Sequence, residues 1–500
     1  MNILYRACAS KNGYQSTILN KLYEKNCFKK CVVITQNLDD KDVYDSDIYL
    51  EIDAIIGYSC SYNEMCNMDV CPEVPEKVLS GLKQYEPYAL NMSCRNYHMH
   101  IMYYDEIFDE YMLHVKFWNN IIDENNIDFI FLSTTPHCMW EYVIYSLGKV
   151  KNIPILIETE ANVPGFNEVG TSITNFGNNT KVCYEEKKYD NMCKYVSSYY
   201  YSILNRSDSC DANKKRDRFN SQKRWVRNLY YIPLFKKALT PSNLINLYTK
   251  HDKSSDDYQK SCLNIQALKR FIKKKRRYGN QTFYNKKICA KAIDFNEKYV
   301  FFALQYFPES SVLPRAGVFW NQLNSIRMLA HAASKLNMKV FVKEHWLEEG
   351  RPRKYYYDLK RIKGVTCVSC DVDSYKLIEN ACAVSSATGS CMQEALIKGK
   401  PIITFADHCL CGAPGVFRVH DEIDIQNALI TITKKDFCIN EIETKNYFSA
   451  LSRTLVKGYL DWPQNDHISF DECIDDTVDL IFDFINTGLK EDYVYIKKCI

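Results

Sequence analysis

The stretch Ala383-Val384-Ser385-Ser386-Ala387-Thr388-Gly389-Ser390 decides the fold. Its first residues suit a buried strand and its hydroxyl-rich middle suits a turn. The spacing of Met392, Ala395 and Leu396 then opens a helix over 392–398. A buried strand that turns through small residues straight into a helix is the repeating unit of a parallel sheet covered by helices. The neighbouring sequence repeats the pattern, with strands expected at 299–304, 339–343, 365–368 and 402–405 and helices at 318–336, 355–361 and 374–380.

The same alternation fills the first part of the chain. Strands are expected at 3–5, 31–35, 49–52, 128–132 and 153–157, helices at 15–25, 108–125 and 140–150, and a turn at Ser10-Lys11-Asn12-Gly13. Between the two series, residues 180–295 lose the strand pattern and gather Lys, Arg, Tyr and Asn. The expected fold class is therefore α/β, with two Rossmann-like lobes, a helical insert and C-terminal helices. The divisions are an N-terminal lobe (1–179), a basic, Tyr-rich insert (180–295), a second lobe (296–435) and helices packing across both lobes (436–500). In such sheets ligands gather at the carboxyl ends of the strands.

Composition narrows the function classes. Lys and Arg (64) nearly balance Asp and Glu (61), a net charge of +3 over 500 residues, so nothing in the bulk charge favours nucleic acid as a partner. The 22 cysteines sit in a long chain without a secretion signal or an apolar run of membrane-spanning length; reduced thiols in a cytoplasmic protein are expected. Cys367-x-x-Cys370 and Cys409-x-Cys411 have the wrong spacing for a paired zinc knuckle, so no metal site is expected. The run Lys269-Arg270-Phe271-Ile272-Lys273-Lys274-Lys275-Arg276-Arg277 reads in two ways. It is a solvated face or linker, or a segment drawn to anionic lipid at the inner face of the cytoplasmic membrane.

Three polar sets fall at one edge of the second sheet. Ser386, Thr388, Gly389 and Ser390 bring small residues, hydroxyls and a helix N-terminus together, which fits a phosphate or carboxylate, although Ser and Thr also cap helices for structural reasons. Glu394, four residues after Ser390, is placed to accept a ribose hydroxyl. Lys343-Glu344-His345 close the strand at 339–343, where a cation and an imidazole suit nucleotide phosphate. Gln305-Tyr306-Phe307-Pro308-Glu309-Ser310-Ser311 follow the first strand of the same lobe.

These motifs resemble those of the bacterial capsule polysaccharide biosynthesis proteins, a family that includes the Kdo transferases of capsule assembly. The resemblance is carried by Leu304-Gln305-Tyr306-Phe307-Pro308-Glu309, Leu313-Pro314, Asn321-Gln322 and Lys343-Glu344-His345-Trp346. It continues through Thr388-Gly389-Ser390, Glu394-Ala395-Leu396 and Gly399-Lys400-Pro401, and in the first lobe through Pro136-His137 and Val163-Pro164-Gly165. It covers roughly residues 125–170 and 296–430. Trp346 stands where the family has proline, and Gln305 where a variable polar residue, often His, is expected.

The resemblance implies a GT-B glycosyltransferase. A nucleotide sugar, CMP-linked and Kdo-like in the family's transferases, would bind the second lobe, and a growing capsule polysaccharide or glycolipid acceptor the first. It implies no cofactor and no essential metal, because basic and helix-terminal groups offset the departing phosphate. By residue, it implies that Lys343 and His345 contact the donor phosphate, that Thr388 and Ser390 bind it, and that Glu394 holds the ribose. Glycosyl transfer also needs a group to take the acceptor's proton. His137, at a strand end of the first lobe, Glu160, beyond the strand at 153–157, and Glu309 are the candidates; each could equally serve a structural hydrogen bond. A nucleotide-sugar epimerase and a non-catalytic glycan-assembly protein on the same fold are the alternative readings.

Overall fold

The computed structural model describes residues 1–7, 14–35, 48–51, 71–93, 103–206, 280, 282–307, 309–345, 348, 351–458 and 468–497. The turn expected at Ser10-Lys11-Asn12-Gly13, the basic run at 269–277, Trp346 and most of the insert lie outside the described residues.

In the first lobe β1 (Asn2–Arg6), β2 (Lys30–Thr35), β3 (Ile48–Glu51), β4 (Phe129–Leu132) and β5 (Ile155–Glu160) run parallel. Ile3, Leu4 and Tyr5 of β1 and all of β4 are buried, because a strand sandwiched between helix layers meets apolar neighbours on both faces. The sheet order is β13-β6-β5-β4-β1-β2-β3, and its two far members, β6 (Phe166–Gly170) and β13 (Val456–Lys457), are antiparallel. Neither was anticipated. Phe166-Asn-Glu-Val-Gly170 has polar residues where a strand pattern needs apolar ones, and Asn167 is buried only because its amide donates to Glu158 Oε1 at 2.9 Å. The helices Glu76–Leu82 and Glu86–Met92 were also unforeseen.

The second lobe is built of β7 (Tyr299–Ala303), β8 (Lys339–Lys343), β9 (Val365–Val368), β10 (Ala383–Ser386), β11 (Ile402–Thr404) and β12 (Val416–Arg418), all parallel in the order β12-β11-β10-β7-β8-β9. Val300, Phe301 and Phe302 at its centre are at most 1% exposed, and each such side chain stabilises the fold by about 1.5–3 kcal/mol on leaving water. The helix expected at 318–336 is shorter, Gln322–Ser334, because Asn321 caps it: its side chain accepts from Leu323 N at 3.3 Å. A 3-10 turn, Gly317–Trp320, takes up the preceding residues. The edge strand β12 was missed because its three residues are only half-buried and show no alternation.

The two lobes share the C-terminal segment. Tyr447, Phe448 and Leu451 of the helix Glu441–Thr454 pack with Tyr299, Phe301 and Leu396 of the second lobe. The final helix, Phe470–Asn486, instead sets Cys473, Ile474 and Val478 against Ile18 and Leu22 of the first lobe. Between these two helices the chain contributes β13 to the first sheet. The described helices of this C-terminal stretch thus pack on different lobes. Among the described residues no helix is long and apolar enough to cross a membrane.

Candidate functional site

The loop after β10 is built by its own hydrogen bonds. Ser386 Oγ donates to Ala303 O at 3.0 Å, and Thr388 Oγ1 donates to Ser311 O at 2.8 Å. Gln305 grips the loop from the end of β7: its Oε1 accepts from Thr388 N and its Nε2 donates to Thr388 Oγ1, both at 2.9 Å. A Cβ on Gly389 would stand 2.9 Å from Ser386 Oγ, so glycine is the residue the turn tolerates. Ser386 and Thr388, read from sequence as ligand-binding hydroxyls, are therefore spent on the loop itself. Ser390 is different: it occupies the cap position of Cys391–Ile397, its side chain makes no capping bond, and it is exposed.

Gln305 is itself held. Its backbone N–H donates to Gln322 Oε1 at 2.9 Å, and its carbonyl accepts from Gln322 Nε2 at 3.2 Å and from the Arg351 guanidinium. Arg351 also donates to Glu344 Oε2 at 3.0 Å, which ties the end of β7 to the Lys343-Glu344-His345 segment. Arg351 and Glu344 are both buried, so the pair survives because each charge is matched by the other and by carbonyl or amide groups. Sequence reading missed Arg351 as an organiser. An arginine shortly after Lys-Glu-His was the available signal, but nothing local reveals that it folds back onto Gln305.

Lys343 donates to Val372 O at 2.6 Å and to Ser374 Oγ at 2.7 Å. His345 is pushed down to about 4 by burial and then by the Arg351 and Lys343 cations, so it is neutral at pH 7 and offers a hydrogen bond rather than a charge. Burial raises the Glu394 carboxyl above the usual range, against the lowering pull of Arg206 and of Tyr375.

The candidates for proton transfer meet this edge from the other lobe. His137 follows β4, and Glu141 accepts from the backbone amides of His137 and Cys138, fixing the start of Met139–Val150. Burial works against the Glu141 charge, but Arg6, His137 and those amides hold its carboxyl low. His137 Nδ1 lies 2.7 Å from Thr135 O and its Nε2 3.0 Å from Ser310 Oγ on the second lobe. A carbonyl only accepts, so Nδ1 carries a proton, and whenever the ring is neutral Nε2 presents a lone pair toward Ser310. Glu160 ends β5, and its carboxyl is raised by partial burial and then by the negative Glu309. Asn162 Nδ2 donates to Thr388 O at 3.3 Å, and Glu168 pairs with Arg315 in a buried bridge between lobes. His137, Glu160 and Glu309 thus gather where the lobes meet, beside the loop that Gln305 holds.

Among the described residues no group of three or more His, Cys, Asp or Glu could hold a metal ion. The described cysteines are free thiols, and burial raises Cys367, Cys409 and Cys411.

The family resemblance drawn from the motifs of the second lobe is borne out: residues 225–414 match the family described as capsule polysaccharide biosynthesis protein, a match that leaves out the first-lobe motifs at 136–137 and 163–165. No curated protein matches the chain. Among solved structures, the chain is similar to the KpsC β-Kdo 2,7-transferase of Thermosulfurimonas dismutans at 11% identity and a TM-score of 0.31, over 73% of this chain and 89% of that one. It is also similar to the UDP-GlcNAc 2-epimerase of Neisseria meningitidis bound to UDP-GlcNAc, at 11% identity and a TM-score of 0.24, over 98% of this chain and 100% of that one. Likeness at these levels assigns no activity.

Proposed function

We propose that the protein is a glycosyltransferase of capsule or surface-polysaccharide assembly, with a nucleotide-sugar donor on the second lobe and a glycan or glycolipid acceptor on the first. One observation carries this reading. At the carboxyl edge of the second sheet the first lobe meets the second: His137 Nε2 lies 3.0 Å from Ser310 Oγ, and Asn162 donates to Thr388 O in the loop after β10. A donor phosphate held at that edge would put its sugar at the junction of the lobes, where a base is at hand.

In the reaction the acceptor hydroxyl gives its proton to a base, its oxygen bonds the anomeric carbon, and the bond from that carbon to the donor phosphate breaks. His137 is suited to the proton because Nε2 carries a lone pair; Glu160, with its raised carboxyl, is the other candidate. Lys343, at the end of β8, would stabilise the departing phosphate without a metal. The resemblance of the Lys-Glu-His segment favours a CMP-linked, Kdo-like donor, Trp346 in place of the motif's proline counts against it, and a cytoplasmic site of action would supply a nucleotide sugar of either kind.

The test is incubation of purified protein with CMP-, UDP-, GDP- and dTDP-sugars, with and without capsule oligosaccharide and glycolipid acceptors, followed by mass spectrometry. Nucleotide release that depends on an acceptor is expected. Conversion of the sugar nucleotide without acceptor would point to an epimerase, and no turnover or binding of any donor would reject the reading.

A further inference from the structure

At the β9 edge of the second sheet two segments lie side by side, the π-helical turn Tyr284–Ile288 and the helix Arg353–Lys360. Tyr284 anchors the turn: its hydroxyl lies 3.1 Å from Val342 O and 2.9 Å from Val368 O. Its ring meets that of Tyr356 at 4.9 Å between centroids, and Tyr356 and Leu359 are fully buried. That burial settles which side of the helix faces out. Arg353, Tyr357, Lys360 and Arg361 recur at i, i+4, i+7 and i+8, a single stripe, and all four are exposed. Contacts join stripe and turn along their length. The Arg353 guanidinium lies 4.9 Å from the centre of the Phe283 ring, which meets Tyr357 edge-on at 5.3 Å, and Lys360 donates to Lys287 O at 3.1 Å. Lys286 and Lys287, both exposed, stand beside the stripe.

The charge of this face is lopsided. Residues 282–293 and 352–363 carry eight cations and one carboxylate, Asp358, while the whole chain is only +3. Asp358 pairs with Lys354 at 2.5 Å and more loosely with Arg361 at 3.9 Å, which leaves the other cations in excess. Tyr357 is 48% exposed among them. A phenol ringed by cations suits the headgroup layer of a bilayer: the ring enters it, the hydroxyl stays wet, and the cations meet anionic lipid. The face is separated from β10, beside whose end the lobes meet, by β7 and β8. It is thus placed to hold the protein on a surface rather than to feed a chain into the junction. We propose that this face docks the protein on an anionic lipid bilayer, with Tyr357 in the headgroup layer and Lys286, Lys287, Arg353, Lys360 and Arg361 toward the lipid phosphates. The assignment stands apart from the donor-site reading.

Co-sedimentation of the full-length chain tests it, with vesicles of phosphatidylcholine alone and of phosphatidylcholine and phosphatidylglycerol in equal parts. Wild type should bind the mixed vesicles, leave the neutral ones, and be released by salt. Each cation near the surface adds roughly fivefold to affinity, so the combined variant Lys286→Ala, Lys287→Ala, Arg361→Ala should bind about 10- to 100-fold more weakly. Tyr357→Ser should weaken binding several-fold with every charge kept. Removing three exposed cations elsewhere (Lys434→Ala, Lys435→Ala, Lys490→Ala) should change it less than about twofold. Should the first variant lose its thermal midpoint, the same three positions changed to Gln replace it. The basic run at 269–277 stays intact throughout, so undiminished binding by the face variant would assign the lipid to that run and overturn the proposal. An equal loss in the control variant would reduce the effect to bulk charge and overturn it as well. So would wild type that ignores anionic vesicles, whether it binds soluble polysialic acid, which would give the face to an acidic glycan, or binds neither.

Discussion

His137 Nε2 and Ser310 Oγ stand 3.0 Å apart, one on each lobe. Ser310 is buried, so the hydroxyl that meets the imidazole belongs to the loop after β7, the same loop whose start, Gln305, holds Thr388. The lone pair that would take an acceptor's proton and the loop that would frame the donor are thus joined by a single hydrogen bond. An acceptor hydroxyl entering the junction would compete with Ser310 for that lone pair.

Removing the base should cost more than removing its present partner. His137→Gln is expected to lower kcat about 10²- to 10⁴-fold, while Ser310→Ala keeps most turnover, in the acceptor-dependent assay. Near wild-type kcat in His137→Gln would transfer the role to Glu160.

Glu309→Gln should shift the acid limb of the pH–rate profile to lower pH. The Glu160 carboxyl is raised first by partial burial and then by the Glu309 charge, and removing that charge lets it ionise more readily. An unmoved acid limb would show that Glu160 does not govern the rate.

Arg351→Met should destabilise the fold by about 3–5 kcal/mol, because it strands the buried Glu344 carboxylate and frees the Gln305 carbonyl. Urea unfolding measures this. A loss below about 1 kcal/mol, the scale of an exposed pair, would mean the network is not held by Arg351.

Acid should weaken the fold through His345. Its folded value, about 4, lies below the unfolded 6.5, so the unfolded chain binds the proton first. The stability associated with the neutral ring is complete above pH 6.5 and is lost as pH falls toward 4, by up to about 3 kcal/mol at 1.36 kcal/mol per unit. His408, pushed down to about 3 by burial and by Arg315 and Arg418, adds to the same slope. Urea midpoints between pH 7 and 4 should fall less steeply in His345→Gln; parallel slopes would contradict the assignment.

Much of the second lobe could be read directly. β8 (Lys339–Lys343) and β9 (Val365–Val368) sit at their expected bounds, since short apolar runs between helical patterns have few other uses in a buried sheet. β6 and β13 could not be read. Phe166–Gly170 has buried polar residues, and Val456–Lys457 is too short to carry a period, so each becomes a strand only through its partner. At the site, Lys343, His345 and Glu394 were legible as chemistry at strand ends. Gln322 was legible only as part of a motif, and Arg351 was not singled out, because their significance lies in partners far along the chain.

The sequence alone determined two parallel-sheet lobes and the edge at which their polar residues collect, because hydrophobic period and turn chemistry are local properties of the chain. Only the tertiary structure decided what each polar group is free to do. It spent Ser386 and Thr388 on their own loop, left Ser390 exposed, and kept His345 neutral. It also pointed the His137 lone pair across to Ser310. Hydrogen-bond satisfaction and desolvation depend on what packs against a residue, and that is set by segments distant in the chain.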